Sequence, residues 1–386
     1  MQSTLSVPTA ASDHRQSTLR RWFGCPLPVF LAYGIFCIAL AVIAFLRPLP
    51  TYDRFLYAGA VASFRYSDPV TLYRIARAEF DAQPSPFPFE NVSSETYFLD
   101  IYNNPNHFAQ QLGPFRFKVG YVTAGYILWR AGLPILISLR LISASCLFIV
   151  ALALLAWTHD ALLCPLLLLT PPVLNMGRMV TADPLSSTVI LLAFFAIARE
   201  RPLLAAGLLL GSALVRADNL VLVLILLVWM LWSRLLRLPV ACFCAALTIA
   251  ISAFVHWTAS MFGYRVLVQH SFIRPEIEPL THPVLITFAG YLHALAGLRA
   301  IPYTFMPVWL LVSAALWKLM PKRSIFRECF GVVGFYIIVR LLIFPSPDDR
   351  FFVWAYLLAG VALIQIASLR YSGRASDRRA DNANAL

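Results

Sequence analysis

Charge is what this sequence has least of. Of its 386 residues only 13% are Asp, Glu, Lys or Arg, about half the usual share of a soluble domain. So little charge cannot coat a water-soluble globule of this size. With 60% apolar residues and a mean hydropathy of +0.72, a soluble enzyme and a disordered chain are both excluded. Acids are scarcer than bases, 19 against 31. No basic stripe is present, because the cations sit at the ends of apolar runs, where membrane insertion requires them; a nucleic-acid partner is therefore not expected. Cysteine is sparse, odd in number and scattered, with seven residues mostly inside apolar runs. That excludes a secreted disulfide scaffold, and Cys242 and Cys244 lack the two-residue spacing of a redox or zinc pair. Internal repeats are missing, so an inverted-repeat transporter has no support. No small-residue cleavage site follows the first apolar run, which reads as a retained span.

What is present is a succession of apolar runs about as long as a bilayer core is thick. They predict an all-α fold, a polytopic membrane helical bundle with the lipid bilayer as solvent. Ten spans are expected, near 28–46, 139–157, 162–176, 184–199, 202–215, 219–235, 239–257, 303–319, 328–344 and 351–369. Two further apolar segments, 117–133 and 283–298, read as interfacial or re-entrant. Residues 1–27 form a cytoplasmic N-terminal segment, 28–370 the membrane domain, and 371–386 a polar, disordered cytoplasmic tail. Between them, 47–116 is a long extracytoplasmic first loop. It holds the proline-broken stretch Pro84-Ser-Pro86-Phe-Pro88, a helical segment near 52–62, and a second helix near 69–80 capped by Asp68 and opened by Pro69. With both termini inside, the inner segments carry fifteen Lys and Arg and the short outer loops six, as the positive-inside rule requires. Thirteen of the nineteen acids fall on the outer side, an asymmetry that topology signals do not explain.

Four places on that outer side carry candidate chemistry. Asp53, in Thr51-Tyr52-Asp53-Arg54, stands just past the first span, where a carboxylate can take a proton from an acceptor; it would equally serve as a helix cap. Asp183, in Gly177-Arg178-Met179-Val180-Thr181-Ala182-Asp183-Pro184, opens the fourth span, with Arg178 five residues earlier. Arg216-Ala217-Asp218 joins two apolar helices; its ions pair with each other, or Arg216 takes a phosphate in its forked donors. Arg340 lies within the ninth span near its outer end, followed by Asp348-Asp349-Arg350; an arginine there marks a site or snorkels to the interface. His256, His270, His282 and His293 gather in and around one outer loop with Glu276 and Glu278, at no recognised zinc spacing. Asn91-Val92-Ser93 matches the glycosylation acceptor pattern. Convergent acids and arginines on one face predict a site for an anionic, lipid-borne substrate.

In order and position these residues resemble the GT-C superfamily of integral-membrane glycosyltransferases, which includes protein O-mannosyltransferases and lipid A aminoarabinose transferases. The resemblance runs over about 28–235 with an echo around 345–365. It lies in Tyr52-Asp53-Arg54-Phe55-Leu56-Tyr57-Ala58 after the first span, and in the amphipathic segment from Phe115 to Arg130. It continues in Gly177-Arg178 with Ala182-Asp183-Pro184-Leu185, in the Gly-containing helix from Ala206 to Arg216, and in Asp349-Arg350-Phe351. It implies a sugar donor on a polyprenyl phosphate or diphosphate and transfer, with inversion, to a lipid, glycan or protein acceptor on the extracytoplasmic face. Asp53 would be the catalytic base, Asp183 a second acid, and Arg54, Arg178, Arg216, Asp218, Arg340 and Arg350 the substrate-binding set. Where many members carry a second acid beside the first, Arg54 stands here. A divalent metal is left open by the family and has no clear motif in this chain. The expected location is a bacterial inner membrane. The competing class is a multi-span transporter or lipid flippase of the cell envelope, which would place its charges near the bilayer midplane; a scaffold subunit would have no polar cavity.

Overall fold

The structure is a computed structural model that describes residues 26–83, 92–258, 277–278, 286–320 and 325–384. Every regular element among them is a helix, as the apolar runs require. The first helix, α1 (Leu27–Leu46), starts at a proline pair and stops where Arg47 and Pro48 follow, since proline supplies no N–H to continue it.

The first loop is itself helical. It comprises α2 (Asp53–Ala62), α3 (Pro69–Asp81), α4 (Val92–Asn103), α5 (Pro105–Gln111), α6 (Gly113–Arg116) and α7 (Val119–Arg130). Asp68 caps α3 as its sequence predicts, accepting from the Thr71 N–H at 2.8 Å, with Pro69 in the first turn. These short helices hold together through an aromatic core of their own. Phe55 is fully buried, and its ring centroid lies 4.7 Å from Phe108, 5.5 Å from Phe80 and 5.9 Å from Phe98. The proline stretch 84–88 and Asn91 lie outside the described residues.

The bundle proper is built around α8 (Ile135–Thr158). Pro134 gives α8 no side-chain cap. Glu79 of α3 takes that part, accepting from the N–H groups of Ile135 and Leu136 at 3.1 Å each, so a carboxylate meets the positive end of the helix dipole. There follow α9 (Leu163–Leu168), α10 (Pro171–Arg178), α11 (Asp183–Ala198), α12 (Pro202–Val215), α13 (Leu220–Trp232) and α14 (Leu238–Thr258). The last four are α15 (Phe288–Ala296), α16 (Met306–Leu319), α17 (Ile325–Ile343) and α18 (Val353–Asn384). Trp354 of α18 stacks on Phe194 of α11 at 5.8 Å in the main core. Five of the six described cysteines are buried and none is paired.

The count of ten spans is corrected by this architecture. Among the described residues three helices are long and apolar enough to cross a membrane: Leu27–Leu46, Ile135–Thr158 and Leu238–Trp257. A fourth crossing exists if Phe288–Tyr303 and Met306–Leu319, bent by 73°, act together; the first of these is the segment read as interfacial or re-entrant. The other apolar runs fall short for identifiable reasons. Pro171 and Pro172 break the run at 162–176 into α9 and α10. The 16 residues of α11 and 14 of α12 reach only about 24 and 21 Å, against a hydrocarbon core of about 30 Å. Helix α17 is long enough but carries Arg327, Glu328 and Arg340. Mean hydropathy along the chain does not register the helix breaks, lengths and charges that separate these helices from the three candidate spans. Helix α18 extends to Asn384, with no proline after Val353 to stop it.

Candidate functional site

Seven helix ends meet at one end of the bundle. The N-termini of α2 and α11, the C-termini of α12 and α17 and the 3-10 turns that lead into α13 and α18 carry the charged residues, and α7 begins beside them. The meeting is held by backbone contacts that involve one of the expected site residues. The Leu49 N–H donates to the Arg178 carbonyl at 2.9 Å, while the Arg178 Nε donates to the Arg47 carbonyl at 2.7 Å. Arg178 thus fixes the exit of α1 to α10 and lies outside the cavity lining.

A cavity of about 320 Å³ opens among these ends. Its walls are of two kinds. One part is apolar, with Phe115, Phe117, Leu220, Val221 and Ile343; the other is charged, with Asp53, Asp183, Asp218, Arg216, Arg340 and Arg350. The charged part is a chain of alternating sign. Arg350 donates to Asp53 at 3.1 Å and lies 3.9 Å from Asp183. Arg216 pairs with Asp183 and grips Asp218 with two hydrogen bonds, 2.9 and 2.7 Å. Arg340 reaches the same Asp218 at 3.3 Å and donates to the Phe344 carbonyl at 2.8 Å. Local sequence explains the placement: Arg216 is the residue at which α12 gives way to extended backbone, and Asp218 sits in the 3-10 turn Ala217–Asn219 that starts α13.

The three acids are not equivalent. The Asp183 side chain is 6% exposed and also accepts from the Thr181 hydroxyl at 2.8 Å. Burial disfavours the charged form of Asp218, but Arg216 and Arg340 outweigh it and hold its carboxyl well below the usual range. Asp53 has one ion-pair partner among the described residues, Arg350, and lines the cavity.

Arg54 turns away from this cavity. It is 3% exposed, with its guanidinium 5.0 Å from the Phe80 ring in the core of the loop helices; burial and the nearby charge of Arg140 lower it to about 10. Asp349 also has another task, accepting from the Phe305 N–H at 2.8 Å and the Tyr356 hydroxyl at 2.7 Å. Asp348 pairs with Arg350 at 3.0 Å. Of the histidines, His256 lines the cavity, while His270, His282 and Glu276 lie outside the described residues. Glu278 contacts His107 of α5 at 3.4 Å. Among the described residues no set of three or more His, Cys, Asp or Glu side chains converges as a metal site would.

Among the lining residues that the sequence did not mark as site candidates, Lys118 and Phe351 stand close to the charged cluster. Lys118 stands at the start of α7 with its ammonium 4.8 Å from the Phe115 ring and 5.2 Å from Tyr57. Burial, reinforced by Arg216, lowers it to about 7. A cation at the entry of an apolar helix, in Phe115-Arg116-Phe117-Lys118, was the available signal. Phe351 was visible only as part of an Arg-aromatic pair. In the fold it stands among three guanidiniums, those of Arg216, Arg340 and Arg350, at 4.7, 5.1 and 4.9 Å from its centroid. No protein-family model, no curated protein and no solved structure matches this chain.

Proposed function

We propose that this protein is a membrane glycosyltransferase that uses a sugar carried on a polyprenyl phosphate or diphosphate, with Asp53 as general base. The observation that carries the reading is the two-part cavity: an apolar wall that suits a lipid chain runs into a cluster of three arginines beside a lightly committed carboxylate. In the proposed step the acceptor hydroxyl gives its proton to Asp53 and its oxygen attacks the anomeric carbon. The bond from that carbon to the phosphate oxygen breaks, with inversion. Arg216, Arg340 and Arg350 supply positive charge for the departing phosphate, a preorganised electrostatic role that is worth several kcal/mol in such sites. Asp183, buried against Arg216, keeps that arginine in place. Arg178 and Arg54, first grouped with the substrate-binding set, act in this reading as supports of α1 and of the loop core. The acceptor is a lipid, glycan or protein on the extracytoplasmic side, and a bacterial inner membrane remains the proposed location, with both termini inside when the bent pair Phe288–Tyr303 and Met306–Leu319 serves as a fourth crossing.

The transporter or flippase reading has less support, because the charges gather at helix ends on one end of the bundle. A scaffold subunit would have no reason to keep a polar cavity. The test is transfer by the purified protein from a panel of polyprenyl-phosphate sugars, with and without chelator, beside Asp53→Asn. Loss of a general base lowers the rate by about 10²–10⁴. Release of polyprenyl phosphate that falls by this amount in Asp53→Asn supports the assignment. Near-normal turnover in the variant removes Asp53 as the base, and no release from any donor by folded protein favours transport.

A further inference from the structure

We infer that Phe351 is a positioning residue for anion recognition: its ring holds Arg216, Arg340 and Arg350 together so that their charge converges on one bound phosphate. The inference rests on the proposed use of a lipid-linked phosphate. Each guanidinium carbon lies within about 5 Å of the same ring centroid, so no two are more than about 10 Å apart. The three come from separate parts of the chain: the end of α12, the end of α17 and the turn Asp349–Phe351. Like charges brought this close repel, and something must hold them.

Carboxylates do part of this. Asp218 binds Arg216 and Arg340, and Asp53, Asp183 and Asp348 lie around Arg350. Carboxylates, however, cancel the charge they gather and occupy N–H donors. An aromatic ring attracts a guanidinium through the negative face of its quadrupole, without a net charge and without using the N–H edge. Phe351 is the one ring close to all three arginines among the described contacts. It is itself steadied edge-on by Phe344 at 6.1 Å. Its position directly after Arg350 makes the turn that aims one arginine also the support for the other two.

The test replaces Phe351 in the full chain with mono-, di- and trifluorophenylalanine, which keep the ring's shape and progressively weaken its quadrupole. Phe351→Leu and Phe351→Tyr accompany the series. Binding of farnesyl phosphate is measured in detergent for each. The expected result is an affinity that falls stepwise with fluorination, by about tenfold over the series, with Phe351→Tyr near wild type and thermal stability nearly constant across the fluorinated proteins. Affinity that stays flat across the series while wild type binds overturns the inference and leaves the glycosyltransferase reading intact. Wild-type protein that binds no farnesyl phosphate overturns that reading and the inference with it. Failure of Phe351→Leu to fold does not affect the outcome, because the fluorinated series decides it.

Discussion

Replacing Arg216 with Gln tests whether the charged cluster is a coupled unit. Arg216 is 10% exposed at its side chain and Asp183 is 6% exposed, so the variant leaves a buried carboxylate without its main counter-charge. Breaking a buried ion pair from one side costs about 3–5 kcal/mol. Asp183 would retain the Thr181 hydroxyl at 2.8 Å and Arg350 at 3.9 Å, which places the expected loss near the lower figure, about 3 kcal/mol. Asp218 adds less, about 1 kcal/mol at most, because it is 37% exposed and keeps Arg340 at 3.3 Å. Asp183→Asn should be milder, since Arg216 keeps its two hydrogen bonds to Asp218. In the double variant neither buried ion of the Arg216–Asp183 pair remains, so its loss should be smaller than the sum of the singles by about 1–3 kcal/mol. Equilibrium unfolding in mixed detergent and SDS micelles, on all four proteins, measures this. Strictly additive losses, or an Arg216→Gln protein as stable as wild type, would refute the reasoning.

Two further outcomes follow from particular contacts. A Cβ on Gly177 would sit 2.5 to 2.9 Å from Leu147, including its Cβ, so Gly177→Ala should cost about 1–3 kcal/mol; Gly207 has open space, and Gly207→Ala should be neutral or stabilise α12 by up to about 1 kcal/mol, the pair being compared by thermal melting in one detergent. Lys118 titrates near pH 7 in the folded protein, below the free value of about 10.4. Between these two values the unfolded chain holds a proton that the folded chain has released, so stability rises with pH from about 7 toward 10 and the gain is absent below 7. Melting temperatures from pH 6.5 to 9.5 should show a rise attributable to Lys118 that Lys118→Met flattens; equal pH dependence in the two proteins contradicts its burial.

Much of the fold was legible before any coordinates. Long apolar runs with cations at their ends predict helices in a membrane, and Asp68-Pro69 marks the start of α3 because a carboxylate cap and a fixed proline φ are local properties. The acids and arginines of the outer side were legible as candidates for the same reason: charge next to an apolar run is conspicuous. Their roles were not. Arg178 and Arg216 look alike in sequence, each beside an apolar helix, yet one binds a backbone carbonyl of α1 and the other a buried carboxylate. Asp349 and Asp53 both flank helices, yet only Asp53 faces the cavity.

The sequence by itself determined the helical class, the apolar character and the list of ionisable groups, since these depend on composition and on neighbours a few residues apart. Only the tertiary structure decided how many helices have the length and apolar surface to face lipid, and which charges meet. Asp53 and Arg350 are 297 residues apart, and Phe351 gathers arginines from three elements. Such contacts depend on how helix ends pack against one another in three dimensions, and the hydropathy of a run is the same whether lipid or another helix covers it.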